Sequence, residues 1–341
     1  MDSTMKRIIT MTLVALAWAA MGLGGVHGCR TDKAAMGTGR VYAGWLSAGE
    51  YGRLWGAASD TLKDTYGTPE TFDRVLGAIT GELGREERVL DERVLSINSF
   101  RLYLRKAEFA GVDVPVSVEL GMDGGLRLMY LDVRPLSEEA PSRFLQYRTR
   151  TVLRLPFEGT WVVLWGGRTT WDNYHADCVD QRFASDFMVF ENGFIHGGDG
   201  SRNEDYYCFG RPVRAPGDGI VASSANDVPD NAPGSEDNLD APLGNHVIID
   251  HENGEYSFLC HFQQGTVTVV PGERVTAGQV LGLCGNSGAS DLPHLHYHVQ
   301  NTPEPFMGEG LPAQFTSYLA DGRPVSRGEP VRGQQVHNRQ Q

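Results

Sequence analysis

Three histidines fall within five consecutive positions of this chain, in His294-Leu295-His296-Tyr297-His298. Side chains alternate between the two faces of a β-strand, so this spacing predicts that all three imidazoles share one face. Neutral imidazole is a common ligand of zinc, and a rigid strand that carries several can supply part of a metal site. The whole chain has only 10 histidines, so an exposed strand that is His-rich by chance explains the cluster poorly.

Length and charge limit the class of protein. The chain has 341 residues and the composition of an ordinary globular protein, which allows one to three domains. Its formal net charge of −13 argues against nucleic acid as the main partner, because phosphate binding needs a basic surface. Neither property indicates an oligomeric state.

Residues 1–29 have the pattern of an export signal. A short basic start precedes an apolar run over residues 8–25, which is short for a membrane span. The run ends before Cys29 in a sequence that resembles a bacterial lipobox, although His27 stands where a small or apolar residue is usual. We expect an exported protein that is either lipid-anchored through Cys29, facing the periplasm or the exterior, or cleaved nearby and secreted.

Export would affect the other four cysteines, which are Cys178, Cys208, Cys260 and Cys284. An even number in an oxidising compartment favours disulfides, and three pairings are possible. We favour Cys178 with Cys208, because the two flank the same predicted strand. The other two would then pair or remain buried thiols. The chain has no C-x-x-C pair, so a zinc site built from cysteines is not expected.

The first part of the mature chain is predicted to be an accessory domain over residues 42–150. Residues 30–41 are small and polar and are interpreted as a linker. Apolar residues recur at helical spacing over residues 47–95, and Thr68 is a candidate N-cap within that stretch.

Alternating strands follow the helical stretch over residues 100–133, with a turn at residues 123–125. Helices followed by an antiparallel meander predict an α+β fold. The order of elements loosely resembles the cone-shaped nuclear-transport-factor-like domains. This region carries no catalytic constellation, so a binding or spacing role is expected.

Many short strands and tight turns predict an all-β domain over residues 151–320, as an antiparallel sandwich or open barrel. Residues 245–250 and 256–262 are predicted to form a hairpin around an Asn-Gly turn. Residues 271–282 are predicted to form another. Residues 321–341 are interpreted as an extended tail.

Five ordered motifs in this domain resemble those of the lysostaphin-type (LytM-like) zinc metallopeptidases. They lie at residues 212–221, 244–251, 258–262, 275–288 and 294–296. The last three match an aromatic-x-x-His strand, V-x-x-G-Q-x-x-G-x-x-G-N-x-G and a closing H-x-H, and the ordered set is far more specific than any one motif. The resemblance covers about residues 175–300. It implies a zinc metalloendopeptidase that acts on stem peptides or cross-links of bacterial peptidoglycan.

The resemblance also implies a ligand set. His296, the second histidine of H-x-H, and Asp186 would bind zinc. The family's other ligand lies four residues before the aspartate, where this chain has Arg182, which cannot ligate a cation. A branch of the family takes this ligand from an Asn-x-His loop, and on that basis we assign His175, for which an exposed loop histidine is the alternative. The expected cofactor is one zinc per chain.

By the same resemblance, His294 and His261 are the catalytic imidazoles. A neutral His294 could take a proton from the attacking water and return it to the leaving amine. A protonated His261 could donate a hydrogen bond to the developing oxyanion. His298, where the family usually has a carboxylate, and Asn245 are candidate second-layer partners of the ligands.

A different class of function is a degenerate, non-catalytic homologue that binds cell wall or activates an amidase partner. The presence of Asp186, His261, His294 and His296 favours an enzyme, whereas Arg182 favours degeneracy.

The segment over residues 226–242 is unusual, because it has five acidic residues and no basic one. We interpret it as a solvated loop. A lid over the groove and a weak calcium loop are the alternatives.

Overall fold

The protein is described here by a computed structural model that covers residues 32–235 and 238–339. The predicted export signal and the lipidation site Cys29 lie outside these residues. The described residues fall into two compact units. The smaller unit consists of the chain up to Ser137 together with the short segment Asn192–Phe194, and all other described residues form the larger unit. Within the described ranges, no helix combines the length and the apolar character that a bilayer crossing requires.

The smaller unit has the predicted α+β fold. Its elements are α1 (Lys33–Ser47), α2 (Tyr51–Ala57), α3 (Asp60–Tyr66), α4 (Pro69–Leu83), β1 (Glu86–Ile97), β2 (Phe100–Phe109), β3 (Val116–Met122) and β4 (Leu128–Pro135). The strands form an antiparallel meander in chain order. Thr68 caps α4 as predicted, since its side chain accepts a hydrogen bond from the backbone of Thr71. The likeness to nuclear-transport-factor-like cones stays a prediction.

The prediction of a linker over residues 30–41 is wrong for the part that the structure describes, because α1 begins at Lys33. Asp32 caps the helix and accepts a hydrogen bond from the backbone of Ala35. Gly39 lies on the buried face, where an added Cβ would collide with the Tyr103 ring. Small residues that permit this close approach carry little hydrophobic signal, so the helical pattern was hidden.

The predicted helical stretch over residues 47–95 also ends too late. The last helix stops at Leu83, and Gly84 follows with a φ of 69°. The edge strand β1 then begins at Glu86 and is mostly exposed and charged over its first half. Charged edge strands resist edge-to-edge pairing with other molecules, but they lack the apolar alternation by which a strand is recognised.

The larger unit is antiparallel β, as predicted. Its strands are β5 (Trp161–Trp165), β6 (Ser185–Met188), β7 (Pro212–Arg214), β8 (Gly219–Ala225), β9 (Asn245–Asp250), β10 (Tyr256–Phe262), β11 (Arg274–Val275), β12 (Val280–Leu283), β13 (Leu295–Gln300), β14 (Gly310–Leu311), β15 (Phe315–Ala320), β16 (Arg323–Gly328) and β17 (Gln335–Asn338). The main sheet has the order β11-β8-β9-β10-β13-β6-β5-β17-β15-β16, with β14 paired to β13 and a separate β12-β7 ribbon. The His-rich strand β13 is therefore central and buried along its whole length.

The hairpin of β9 and β10 is confirmed. The second predicted hairpin, over residues 271–282, is wrong, because β11 pairs with β8 and β12 pairs with β7. The connection between β11 and β12 bonds to the β7–β8 turn instead, through Gly278 N to Ala215 O and Ala215 N to Gln279 O.

The predicted tail over residues 321–341 is also wrong for the part that the structure describes. β16 pairs with β15, and β17 lies between β15 and β5. Val336 is fully buried there. The polar composition of this segment hid two strands whose pairing depends on backbone hydrogen bonds.

The predicted disulfide between Cys178 and Cys208 is wrong, since the four cysteines of the described residues are free thiols. Cys178 is exposed, and its sulfur lies 3.3 Å from Asp177 Oδ1. Cys208 is buried and donates to the carbonyl of Pro293 at 3.0 Å. The two residues therefore differ in burial, which their positions along the chain did not indicate.

The acidic segment over residues 226–242 is anchored in its described part. Asp230 accepts hydrogen bonds from the backbones of Asn286 and Gln264, at 2.7 and 3.0 Å. Asn231 donates to the carbonyl of Gly288 at 2.7 Å. These contacts attach the acidic segment to the turn that leads into β13. Its described part is therefore not a purely solvated loop. A lid and a calcium loop stay predictions.

Glu255 fastens the segment before β5 to the β9–β10 hairpin. Its fully buried carboxylate accepts hydrogen bonds from the Tyr147 hydroxyl, the backbones of Arg150 and Thr151, and the Thr151 hydroxyl. Burial acts to raise the pKa of Glu255, but these donors outweigh burial, and the pKa is lowered. The carboxylate is thus stabilised in its charged form.

We expect Glu255→Gln to lower the free energy of unfolding by about 1–3 kcal/mol at neutral pH. The reason is that the charged carboxylate accepts several hydrogen bonds, and the neutral amide that replaces it is a weaker acceptor. The pKa of Glu255 is lower in the folded state than in the unfolded state, where it is near 4.5. The charged carboxylate therefore stabilises the fold fully above pH 4.5, and this stabilisation is lost as the pH falls through the folded-state pKa. The difference between variant and wild type in urea denaturation should therefore shrink in acid. Glu252→Gln, which alters an exposed ion pair with Arg274, is the matched control and should leave the midpoint nearly unchanged.

Candidate metal centre

Asp186 and His296 meet because they are directly paired residues of β6 and β13. Paired residues of antiparallel strands point to the same face. The Asp186 Oδ1 atom lies 2.9 Å from His296 Nδ1, and the two residues are only 2% and 4% exposed. A buried carboxylate in this position requires a cationic or hydrogen-bonding partner.

His175 reaches the same place from a short 3-10 turn, Tyr174–Asp177. Asn173 caps the turn, and its Oδ1 lies 2.9 Å from His175 Nδ1. The Asn173 amide nitrogen donates to the carbonyls of Gly167 and Ala184, so the oxygen is the atom that faces the ring. An amide oxygen only accepts, so His175 is protonated at Nδ1 and presents a lone pair at Nε2.

One ligand atom from each of His175, Asp186 and His296 lies within 4.8 Å of the other two, and all three residues are buried. The His175 Nε2 atom is 3.7 Å from Asp186 Oδ2. Two imidazoles and one carboxylate are the donor set of catalytic zinc sites, which keep a further position open. The residues present therefore fit zinc, and the predicted trio is brought together.

Arg182, at the position of the missing family ligand, has a structural role instead. Its buried guanidinium donates to the carbonyls of Ala140 and Arg168, at 2.9 and 2.6 Å, and lies 5.4 Å from the centre of the Phe183 ring. His175 brings a third potential donor atom to the cluster without a histidine at this position.

His294 lies beside the three candidate ligands, with its Nε2 atom 3.8 Å from Asp186 Oδ1. Its Nδ1 atom faces the carbonyl of Leu292 at 2.8 Å. A carbonyl oxygen only accepts, so the neutral ring is protonated at Nδ1 and has its lone pair at Nε2. That atom can take a proton from a water molecule held next to Asp186.

His261 reaches the cluster only because the backbone of β10 is irregular. Cys260 is the residue of β10 that pairs with His296, so regular alternation would turn His261 to the opposite face. The register between β9 and β10 instead shifts at Leu259, and His261 has a φ of 66°. The centre of its ring is consequently 4.8 Å from that of His294 and 5.8 Å from that of His296.

A left-handed backbone costs a non-glycine residue about 1–2 kcal/mol. Such strain is concentrated at functional sites, where the surrounding structure holds it in place, and bulges commonly re-aim a side chain beside an active site. The strain at His261 therefore agrees with a functional role for its imidazole.

The electrostatics of the cluster favour a cation. Burial is the main cause that lowers the pKa of His175, to about 3, and that of His261 well below its usual value. Burial acts to raise the pKa of Asp186, but the imidazoles of His175, His294 and His296 outweigh it, and this pKa is lowered. At neutral pH the site thus combines one carboxylate with neutral His175 and His261.

This protonation state differs from the predicted role of His261 as a protonated donor. Its Nδ1 atom lies 2.8 Å from the carbonyl of Ser287, so Nδ1 carries the proton of the neutral ring. Its Nε2 atom therefore accepts a proton in the metal-free protein and does not donate one.

Of the two predicted supporting residues, only His298 contacts a candidate ligand. Its Nδ1 atom lies 2.9 Å from His296 Nε2. The Asn245 amide instead ties the backbones of Val228 and Phe262 together, and among the described residues it bonds to no candidate ligand.

Sequence reasoning missed Tyr174. Its hydroxyl donates to Asp186 Oδ2 at 3.2 Å, and the centre of its ring lies 3.9 Å from that of His175. The side chain is 45% exposed, so the hydroxyl stands where the buried cluster meets solvent. Adjacency to His175 in the sequence was the only available signal.

Comparison with known proteins finds similarity over part of this chain. Residues 204–307 match the model of peptidase family M23. Peptidoglycan DD-endopeptidase ShyA of Vibrio cholerae is 32% identical over 105 residues, which are 30% of this chain and 21% of that protein. Peptidoglycan DD-endopeptidase ShyC of the same organism is 35% identical over 97 residues, or 28% and 19% of the two chains. The chain thus spans about a fifth of the length of these relatives.

A similar solved structure is a mutant catalytic domain of the prophage-encoded M23 protein EnpA from Enterococcus faecalis. The match covers 47% of this chain and 94% of the EnpA chain, at 19% identity and a TM-score of 0.30. The family match contains His261, His294 and His296, whereas His175 and Asp186 precede it.

Proposed function

We propose that this chain, in which residues 204–307 form a peptidase family M23 domain, is an exported zinc metalloendopeptidase of peptidoglycan. The observation that carries the proposal is the buried cluster of His175, Asp186 and His296, with two further imidazoles beside it. The names of the relatives support stem peptides or cross-links of peptidoglycan as the substrate.

In this proposal His175 Nε2, Asp186 and His296 Nδ1 would hold one zinc ion. Zinc bound to such a donor set activates water and polarises the scissile carbonyl. His294 accepts the proton of the attacking water at Nε2 and returns it to the leaving amine. Its Nδ1 proton, held by the Leu292 carbonyl, keeps that lone pair directed at the site.

His261 and Tyr174 complete the proposed machinery. His261 offers a second acceptor at Nε2, so it can orient the water or take up a proton as the reaction proceeds. The Tyr174 hydroxyl is the half-exposed donor beside Asp186, and it can turn toward the oxyanion that develops on the substrate.

The surroundings of Arg182 weigh against the alternative of a non-catalytic homologue. It depended on Arg182 at a ligand position, and that residue forms hydrogen bonds to backbone carbonyls while His175 offers the third donor.

Metal analysis combined with digestion of purified peptidoglycan tests the proposal. We expect about one zinc per chain, release of peptides with new amino termini, loss of release after chelation, and recovery when zinc is restored. Circular dichroism of the chelated protein controls for unfolding. Bound zinc without any release of peptides would favour the wall-binding alternative, whereas undiminished release from a metal-free chain would refute the zinc mechanism.

Export is part of the proposal, with lipid on Cys29 and the enzyme facing the periplasm or the exterior. A single acyl chain holds a membrane only marginally, whereas a di- or triacylated cysteine anchors firmly. Mass spectrometry of the N-terminal peptide from the native host tests this. An unmodified N-terminus downstream of Cys29 would instead support a secreted enzyme.

A further inference from the structure

His296, His298 and Gln300 form a row of buried polar side chains along one face of β13. They are separated by two residues each, as a shared strand face requires, and are 4%, 2% and 0% exposed. Buried polar groups need internal hydrogen-bond partners. The hydrogen bonds at the outer end of the row therefore determine which ring nitrogen of His298, and in turn of His296, carries its proton.

Gln300 sets the outer end of the row. Its amide nitrogen donates to the carbonyls of Thr302 and Glu304, at 2.8 and 2.9 Å. The reversed amide would place its oxygen against these two carbonyl oxygens, so the assignment of nitrogen and oxygen is determined by the backbone. The Oε1 atom of Gln300 must then seek its donor elsewhere.

The donor that remains for this oxygen is His298 Nε2. Both atoms are buried, and neither has a hydrogen-bond partner within bonding distance among the described residues. They are a possible donor and an acceptor two residues apart on one face of β13, so each is assigned as the partner of the other. His298 therefore carries its proton at Nε2 and has its lone pair at Nδ1.

The orientation of His298 determines that of His296. Since His298 Nδ1 is an acceptor, His296 must donate to it from Nε2, across the 2.9 Å between these atoms. His296 then has its lone pair at Nδ1, the atom that faces Asp186. In the metal-free protein the Asp186 carboxylate would by itself favour a proton on Nδ1. The hydrogen bond from His296 Nε2 to His298 Nδ1 opposes this preference, because it requires the proton on Nε2.

The ring of His298 is held in place by packing. It stacks on Phe258, its directly paired residue on β10, with ring centres 4.5 Å apart and planes 16° from parallel. Rotation of the imidazole, which would exchange its two nitrogens, would disrupt this stack.

We propose that Gln300, acting through His298, is a positioning residue that holds His296 in the tautomer able to bind metal through Nδ1. The inference rests on the proposed zinc site. The second layer of that site would then be an uncharged carboxamide, oriented by two backbone carbonyls, in place of the more usual carboxylate or backbone carbonyl.

The test compares Gln300→Met and His298→Phe in the full chain. Methionine keeps the length of the side chain without its amide, and phenylalanine keeps the stack on Phe258 without a ring nitrogen. Each variant should bind zinc about 10–100-fold more weakly in competition with a chelator. The double variant should be no weaker than His298→Phe alone, because both changes break one connected row.

Nitrogen-15 spectra of the histidines in the metal-free chain provide a second measurement, which a general loss of stability would not mimic. We expect the proton of His296 on Nε2 in the wild type and a shift toward Nδ1 in both variants. Gln314→Met, a partly buried glutamine that bonds to Thr149 and Tyr147, is the control and should change neither the affinity nor the spectrum.

Unchanged zinc affinity and an unchanged His296 spectrum in Gln300→Met would overturn the proposal. So would losses that add in the double variant, because independent residues behave that way. If Gln300→Met does not fold, the spectrum and affinity of His298→Phe decide the matter. A wild-type chain that binds no zinc would refute the proposed function instead, while its spectrum would still report the tautomer of His296.

Discussion

The variant His296→Ala should bind no zinc and should release no peptides from peptidoglycan. It removes one of three protein ligands, and the remaining pair, His175 and Asp186, cannot form the three-donor set of a catalytic site. The measurement is the zinc content of the purified variant, together with digestion of purified peptidoglycan by the same sample.

His175→Ala should have the same effect, and it tests the ligand that the family motif does not supply. His246→Ala is a matched control, because His246 lies on β9 of the same sheet and its Nδ1 bonds to the Gly244 carbonyl, outside the cluster. The control should keep its zinc. Full zinc occupancy in His175→Ala would show that another residue completes the site, and full occupancy in His296→Ala would refute the ligand set itself.

The second large effect is expected from His294→Ala and His261→Ala, which should keep zinc and lose activity by about 100-fold or more. Neither residue belongs to the trio of candidate ligands, but each presents a lone pair at Nε2 beside it. Loss of the proton acceptor therefore slows the chemical step without emptying the site.

The measurement is the rate of peptide release per bound zinc, so that loss of metal and loss of catalysis are separated. His246→Ala again serves as the control and should retain its rate. Wild-type rates in His294→Ala or in His261→Ala would remove the proton-transfer role from that residue. Loss of zinc in either variant would move the residue from the catalytic group to the ligand set.

Features that depend on neighbouring residues were predictable from the sequence. The alternation in residues 294–298 predicted three imidazoles on one strand face; His296 and His298 lie on β13, and His294 immediately precedes it. An Asn-Gly turn identified the β9–β10 hairpin. Thr68 was recognised as an N-cap from its position before a helical pattern. Each of these signals is contained within a few residues, because side-chain direction, turns and caps are local properties of the backbone.

Where local signals were weak, the sequence was misleading. Small residues concealed α1, polar residues concealed β16 and β17, and the pairing of Cys178 with Cys208 ignored their different depths in the domain. Burial depends on what packs against a segment, and neither composition nor cysteine spacing carries that information.

The sequence by itself determined which residues could do the chemistry, through the ordered motifs that end at His296. Only the tertiary structure decided how they meet. Asp186 faces His296 through strand pairing between positions 110 residues apart, His175 arrives on a capped turn, and His261 is re-aimed by a bulge with a left-handed backbone. Strand register and bulges are set by long-range backbone hydrogen bonds, so the geometry of the site could not be obtained from any single segment.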